Sequence, residues 1–141
     1  MDASKLKLPA LLENLGNFTM YAADCARLAG FGQKRVSEIE LAVEEAVMNI
    51  VSHAYAGKEG YAEISCRSAD GSLLIELADE GRPFNILDLP DPDVTADIDE
   101  RKIGGLGVFF IKKLMDDVRY EREGNRNRLT LTVRRPGAEA M

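Results

Sequence analysis

The segment Gln33–Ala56 limits the fold of this chain more than any other part of the sequence. Its apolar residues recur at steps of three or four, which places them along one face of a helix: Val36, Ile39, Val43, Val47, Ile50 and Ala54. The sequence Tyr55-Ala56-Gly57 ends the pattern. We therefore predict a long helix over Gln33–Ala56 that packs one face against a hydrophobic core.

Patterns before and after this helix predict two more helices and five strands. Leucines alternating with lysines indicate a first strand at Lys5–Pro9, and apolar residues at helical spacing indicate a helix over about Ala10–Ala29. A short helix begins at the glycines of GGLGVFFIKKLMDD. Four further strands are predicted from runs bounded by turn residues, at Tyr61–Ser68, Leu73–Ala78, Val118–Glu123 and Arg128–Arg134. The second of these is almost continuously apolar, which is typical of a central strand.

The order of these elements, with strands and helices in separate runs, is typical of an α+β domain. The simplest arrangement is one sheet with the helices on one face, in a single domain over residues 1–135. Residues 136–141 are expected to form a flexible tail. Residues from about 85 to 104 show little periodicity, and so long a connection in a compact domain is typical of a lid or a disordered linker.

Composition disfavours two classes of protein. The chain has 141 residues, of which 18 are basic and 24 acidic, and a net charge of −6. This charge argues against direct nucleic-acid binding through phosphate contacts. No segment reaches the roughly 18 apolar residues of a membrane span, and no secretory cleavage pattern follows the N-terminus, so we expect a cytoplasmic protein. Cys25 and Cys66 lack metal-type spacing and are expected to be reduced thiols.

The first motif with chemical potential lies on the long helix. Glu45, Asn49 and His53 are four residues apart and therefore share one stripe on its flank. The amide oxygen of Asn49 suits Mg²⁺, and a carboxylate one turn away can accept the proton of an attacking hydroxyl. A solvated helix face would show the same spacing. A zinc site is disfavoured because asparagine is a poor zinc ligand and no second histidine or cysteine is at hand.

The second motif, ADEGRPF at residues 78–84, follows an apolar strand. Asp79 can accept a hydrogen bond from an exocyclic amine such as that of adenine. Gly81 allows a close approach of the backbone to a flat ring, and Pro83 fixes the direction in which the chain leaves. A plain turn at the end of a strand is the alternative.

The third motif is the glycine cluster at residues 104–107, which opens the helix VFFIKKLM. Glycines at a helix start expose backbone N–H groups, which together with the helix dipole bind anions such as phosphates. The cluster is neither a Walker loop nor a dinucleotide fingerprint, because the lysine, the preceding strand and the third glycine of those motifs are missing. A helix start without a ligand is again the alternative.

Together the three motifs supply the parts of one nucleotide site. The first provides a metal ligand and a proton acceptor, the second a hydrogen-bond acceptor for the nucleobase, and the third a phosphate-binding loop. The segments EEAVMNIVSHAY (44–55), LADEGRPF (77–84) and GGLGVFFIKKLMDDVRYE (104–121) resemble the Bergerat-fold ATPases, which include gyrase, heat-shock chaperones and histidine kinases. Within this superfamily the chain is similar to the anti-sigma-factor serine/threonine kinases of bacteria. The resemblance extends over nearly the whole chain. It implies a two-layer α/β sandwich with a mixed, mainly antiparallel sheet.

The resemblance also implies roles for individual residues. Glu45 corresponds to the general base, Asn49 to the Mg²⁺ ligand and Asp79 to the acceptor of the adenine amine. Roles in the base pocket and the phosphate loop are implied for Gly81, Pro83, Gly104, Gly105, Leu106, Gly107 and Val108.

The sequence departs from the family pattern in several places. Pro83 stands where the family has a second glycine, and Arg126-Asn127 replaces a Gly-Thr pair, so one adenine contact is expected to be missing or water-mediated. The proposed lid is rich in aspartate, and the basic residues at its end, Arg101 and Lys102, could offset that charge. His53 is interpreted as packing or polar support rather than as a phosphoacceptor.

The activity implied by the resemblance uses ATP and Mg²⁺ as cofactors. The γ-phosphate would pass to a serine or threonine of a STAS-domain anti-sigma-factor antagonist. A sigma factor as competing partner and a homodimer are implied as well. The alternative is a non-catalytic, nucleotide-gated protein-binding switch, and Glu45 favours catalysis because a switch needs no general base. An interaction domain with a vestigial pocket is disfavoured by the joint presence of all the motif residues.

Overall fold

The computed structural model describes residues 5–56, 58–88 and 106–135, and at Leu106 it describes the backbone alone. The strands are β1 (Lys5–Pro9), β2 (Tyr61–Ala69), β3 (Ser72–Asp79), β4 (Asp117–Glu123) and β5 (Arg126–Arg134). The α-helices of the described ranges are α1 (Leu15–Leu28), α2 (Gln33–Asn49) and α3 (Leu106–Leu114). Short 3-10 turns occupy Leu12–Asn14 and Ile86–Asp88, and a π-helical turn, Ile50–Ala54, follows α2. Each predicted strand and helix is therefore present, with ends moved by a few residues.

The strands form one sheet in the order β1-β2-β3-β5-β4, and every pairing is antiparallel. The predicted α+β fold is confirmed, and the described strands include no parallel pair. Strand β3 lies in the middle of the sheet, as its apolar sequence predicts. Asp70 and Gly71, with φ of 51° and 79°, form the turn between β2 and β3. Two consecutive positive φ values are typical of a type I′ turn, whose twist matches that of the flanking strands.

The helices cover one face of this sheet. Helix α1 packs against α2 and β2, and α2 packs against α3. The largest fully buried side chains come from both layers and include Phe18, Ile39, Ile64, Ile75, Leu77, Ile111 and Leu131. Each contributes about 1.5–3 kcal/mol by leaving water, so this packing fixes α2 and α3 over the sheet. None of the helices in the described ranges combines the length and the apolar character that a bilayer crossing requires.

Charged side chains pair on the opposite face of the sheet. Glu63 lies 3.6 Å from Lys5 and 3.4 Å from Arg126, and Arg128 lies 2.8 Å from Glu123. Ion pairs that reach solvent stabilise a fold by less than about 1 kcal/mol each. Their effect here is to keep this sheet face polar, so the hydrophobic core lies between the sheet and the helices.

The long helix ends earlier than its apolar pattern predicts. Helix α2 stops at Asn49, and the next turn is π-helical, closed by a hydrogen bond from the Tyr55 N–H to the Ile50 carbonyl at 3.0 Å. The prediction of one regular helix to Ala56 is therefore wrong in its last turn. His53 lies within this π-helical turn, so the regular α-helical spacing that the sequence predicts from Asn49 to His53 is not kept.

Candidate functional site

Helices α2 and α3 meet at the side chain of Glu45. Gly107 is the second residue of α3, and a Cβ added there would overlap Glu45 Oε1 and lie 3.2 Å from Glu45 Cδ. Any other residue at this position would displace the carboxylate from where it lies. The first N–H groups of an α-helix have no partner within the helix. The carboxylate of Glu45 therefore lies beside the N-terminal end of α3, where such N–H groups can bind an anion.

The surroundings of Glu45 make it a stronger base than an ordinary glutamate. Burial raises the pKa of the Glu45 carboxyl, and the negative charge of Glu44 raises it further. A carboxylate with a raised pKa holds a proton more firmly, which suits a group that must take a proton from a hydroxyl.

Asn49 lies one turn after Glu45. Its Nδ2 donates to the Glu45 carbonyl at 2.7 Å, while no described residue donates to its Oδ1. In the described part of the chain, no group of three or more histidine, cysteine, aspartate or glutamate side chains could hold a metal ion. A cation at Asn49 would therefore take most of its ligands from water or from a nucleotide, which is how Mg²⁺ binds in phosphoryl-transfer sites. The free amide oxygen thus fits the implied Mg²⁺.

A pocket lies between the end of α2, the π-helical turn and the sheet. About 330 Å³ of space lies between these elements, part of it open to solvent. Most of its wall is apolar or aromatic: Ala46, Ile50, Ala54, Leu77, Phe84, Ile86, Tyr120 and Leu129. Its polar residues are Asn49, Asp79 and Asn127. An apolar wall with a few converging polar groups is typical of a site for a flat organic ligand.

Asp79 is the acidic residue of this pocket and is only 5% exposed. Its Oδ1 accepts hydrogen bonds from the Gly81 N–H and from Asn127 Nδ2, both at 2.9 Å. Burial raises the pKa of the Asp79 carboxyl, while these two hydrogen bonds and the charges of Arg122 and Arg126 act in the opposite direction. No described residue donates to Oδ2, so this oxygen is available to a ligand.

The loop after Asp79 is held from two sides. Arg82 donates through its backbone N–H to the Ala54 carbonyl at 2.9 Å and through Nε to the His53 carbonyl at 2.8 Å. Carbonyls at a helix end lack partners within the helix, so these bonds satisfy them. On the other side, Arg122 donates to the Gly81 carbonyl at 2.8 Å. A Cβ on Gly81 would lie 2.5 Å from the Ala54 carbonyl oxygen, so the glycine allows this close approach of loop and turn.

The structure places the other sequence-predicted residues as follows. Gly81 is buried and Pro83 is exposed, and neither belongs to the pocket wall. Leu106 is the first residue of α3, and Val108 lies on the buried side of the same helix. His53 stacks on Phe84 with ring centroids 4.7 Å apart, which agrees with a packing role. Gly104, Gly105, Arg101, Lys102, the tail and all of the proposed lid after Asp88 lie outside the described residues.

The sequence patterns do not predict the roles of two residues of the site, Asn127 and Tyr55. The sequence predicts a missing or water-mediated adenine contact at Asn127, and the structure shows in addition that Asn127 holds the Asp79 carboxylate. Strand alternation places it on the buried face with Leu129, Leu131 and Val133, and a polar residue at such a position is a usable signal. The Tyr55 hydroxyl donates to the Tyr61 carbonyl at 2.6 Å and accepts from the Glu80 N–H at 2.9 Å. For Tyr55, which follows an irregular turn, the sequence contains no comparable signal.

Comparison with known proteins gives consistent matches. Residues 8–133 match the family of histidine kinase-like ATPase domains. The serine-protein kinase RsbW of Listeria monocytogenes is 33% identical over 129 residues, which cover 87% of this chain and 82% of that protein. RsbW of Bacillus pumilus is 31% identical over 128 residues, which cover 86% of this chain and 79% of that protein.

A solved structure agrees with the fold. The crystal structure of the RsbU and RsbW domains of a Mycobacterium tuberculosis protein matches with a TM-score of 0.66 and 18% sequence identity. The match covers 95% of this chain but only 32% of that chain, so the present chain spans about a third of it. The chain therefore belongs to the histidine kinase-like ATPase family, in its group of anti-sigma-factor serine kinases, and is an ATP-dependent protein serine/threonine kinase.

Proposed function

We propose that this kinase phosphorylates a serine or threonine of a STAS-domain anti-sigma-factor antagonist and sequesters a sigma factor in competition with that antagonist. The observation that carries the kinase chemistry is the close approach of Glu45 to Gly107 at the start of α3, with Asn49 one turn away. The class of partner rests on the resemblance to anti-sigma-factor kinases. A homodimer and a cytoplasmic location stay predictions.

In the proposed transfer reaction, each group at the contact between α2 and α3 has one role. The N–H groups at the start of α3, which include those of Gly107 and Val108, hold phosphate oxygens of ATP. Glu45 accepts the proton of the partner's hydroxyl while that oxygen bonds to the γ-phosphorus and the bond from phosphorus to the leaving oxygen of ADP breaks. Asn49 Oδ1 would hold Mg²⁺, which supplies charge neutralisation for the phosphates.

The pocket around Asp79 would take the adenine base. Asp79 Oδ2 accepts from the exocyclic amine, and the apolar wall contacts the faces of the ring. The base pocket and the Glu45 junction are linked by α2 itself, since Asn49 belongs to the pocket wall and is bonded to the Glu45 carbonyl. One ATP molecule could therefore reach from Asp79 to the start of α3.

The experiment that tests the proposal is phosphate transfer from γ-labelled Mg-ATP into a lysate of the source organism that has been freed of small molecules. We expect one labelled small protein, identified by mass spectrometry as a STAS-domain protein carrying phosphoserine or phosphothreonine. Asn49→Ala should abolish the label, whereas Asn17→Ala, an exposed asparagine on α1, should keep it. A label on an unrelated protein would contradict the proposed partner. ADP binding without any label would favour the nucleotide-gated switch.

A further inference from the structure

Asn127 uses all of its hydrogen-bonding capacity inside the protein. It is 4% exposed. Its Nδ2 donates to Asp79 Oδ1 at 2.9 Å and to the Arg82 carbonyl at 2.8 Å. Its Oδ1 accepts from the Phe84 N–H at 3.2 Å and from the Tyr120 hydroxyl. Two donors and two acceptors are the full inventory of an asparagine amide.

This saturation excludes direct contact of the Asn127 amide with a bound base. Although Asn127 lies in the pocket wall, it offers a ligand no unused polar hydrogen or lone pair. Any effect of Asn127 on the ligand must therefore act through the groups that it holds. Among these groups, Asp79 is the carboxylate, and no described residue donates to its Oδ2.

We infer that Asn127 is the positioning residue for base selection: it fixes Asp79 by Oδ1, so that Oδ2 alone is offered to a base with an exocyclic amine. The inference rests on the proposed function, because it assumes that the Asp79 pocket takes the base of the nucleotide. A base with a carbonyl at the same position would bring two acceptors together. The amine donor of adenine would instead pair with Oδ2.

The charge state of Asp79 depends on the same contact. A protonated carboxyl would donate to the base instead of accepting, so base selection requires the ionised form. Burial raises the Asp79 pKa, and the Asn127 hydrogen bond is the largest factor against it, ahead of the Gly81 N–H. Arg122 on β4, Arg126 on β5 and Tyr55 after α2 interact electrostatically with Asp79, and Tyr120 is reached through Asn127. Further charged or titratable side chains line a second cavity that Asp79 also borders: Lys7, Glu59, Tyr61, Glu63 and Glu80. Without Asn127, the largest factor that lowers the Asp79 pKa is lost, while burial still raises it. Asp79 would therefore hold its proton to higher pH.

The test compares Asn127→Leu and Asn127→Thr with the wild type and with Asn125→Thr, a control in the exposed hairpin turn. A threonine hydroxyl can donate one hydrogen bond to Asp79 but cannot reproduce all four bonds. Affinities for ADP and IDP, whose bases differ in an amine against a carbonyl, are measured as a function of pH. The Asp79 carboxyl is titrated by NMR in the nucleotide-free protein, which gives a readout that does not depend on nucleotide binding.

We expect Asn127→Leu to reduce the preference for ADP over IDP by roughly tenfold or more, because the buried Asp79 carboxylate loses the partner that positions it. The Asp79 titration should move to higher pH, and ADP affinity should become weaker on the acid side. Asn127→Thr should lie between the wild type and Asn127→Leu, and it decides the question if the leucine variant does not fold. Equal losses for ADP and IDP with an unmoved Asp79 titration would overturn the inference and leave the proposed function intact. A wild type without preference for ADP would overturn both the inference and the assignment of the Asp79 pocket to adenine.

Discussion

The carboxylate of Glu45 occupies the space in which any residue other than glycine at position 107 would place its Cβ. This contact joins the middle of α2 to the first turn of α3. It brings a proton acceptor to the end of a helix where backbone N–H groups bind anions. In the proposed transfer reaction, one glycine would thus place the groups for phosphate binding and for proton removal side by side.

Gly107→Ala tests this contact. The added methyl group must displace Glu45, and a displacement of about 1 Å in a transfer site can reduce the rate by roughly a hundredfold. The fold should remain, because alanine is a better helix former than glycine by about 1 kcal/mol. Gly16→Ala is a matched control, since Gly16 is also the second residue of its helix and a Cβ there meets nothing within 4 Å. Equal transfer rates in the two variants would remove Gly107 from the site.

The pH dependence of transfer should report Glu45. The reaction needs the ionised carboxylate, so kcat/KM should rise with pH through the Glu45 pKa, which burial and Glu44 hold above its usual range. Glu44→Gln removes one of these causes and should move the acid limb of the profile to lower pH. Glu40→Gln, a carboxylate elsewhere on α2, is the control and should leave the profile in place. An acid limb that is identical in all three proteins would mean that another group limits the reaction.

Asp79→Asn should exchange the preferred base. The amide oxygen can accept from Gly81 and Asn127 as Oδ1 does, and the amide nitrogen then replaces Oδ2 and repels the adenine amine. We expect ADP affinity to fall by about tenfold to a hundredfold, with a smaller loss for IDP. Calorimetric titration with both nucleotides measures this, and equal losses would contradict the adenine assignment.

The same variant should not be less stable than the wild type at neutral pH. Because burial raises the folded-state pKa of Asp79 above its unfolded value, the folded state binds its proton more firmly. The stabilisation present at low pH is therefore lost as pH rises through the folded-state pKa. Asparagine carries no charge and avoids this loss. Urea unfolding across the acid range should show a smaller decline with pH for Asp79→Asn than for the wild type.

Tyr55→Phe should lower the free energy of unfolding by about 1–3 kcal/mol. The hydroxyl is bonded to the Tyr61 carbonyl and the Glu80 N–H, and both groups lose a partner in the variant. Tyr61→Phe is the matched control, because Tyr61 is 54% exposed and keeps its ring under Lys7. Urea denaturation of both variants measures the difference. Similar midpoints would show that the Tyr55 hydrogen bonds contribute little.

Much of the fold can be predicted from local patterns. Strand β1 begins and ends where the alternation of leucine and lysine does, and the turn at Asp70-Gly71 has the backbone that these residues favour. The π-helical turn could not be predicted in this way, because the apolar spacing continues through Ile50 and Ala54. The contacts at its end are tertiary: the carbonyls of His53 and Ala54 accept from Arg82, a residue distant in sequence.

Some residues of the site can be predicted from the sequence and others cannot. Glu45, Asn49 and Asp79 follow from residue types that suit a chemical task, and the structure puts Asn49 and Asp79 in one pocket. The reason for Gly81 is different from the one the sequence suggests, since its close approach is to the Ala54 backbone. The role of Asn127 depends on four partners from two separate segments of the chain, residues 79–84 and β4, and such a set becomes visible only when the sheet and the loop are assembled.

The most direct test of the transfer site is a comparison of wild type and Glu45→Gln with γ-labelled Mg-ATP and the isolated acceptor protein, with ADP affinity determined in parallel. We predict that Glu45→Gln binds ADP as the wild type does and transfers phosphate at least about a hundredfold more slowly, the loss typical of a missing general base. Undiminished transfer by Glu45→Gln would contradict the assignment of Glu45 as the proton acceptor.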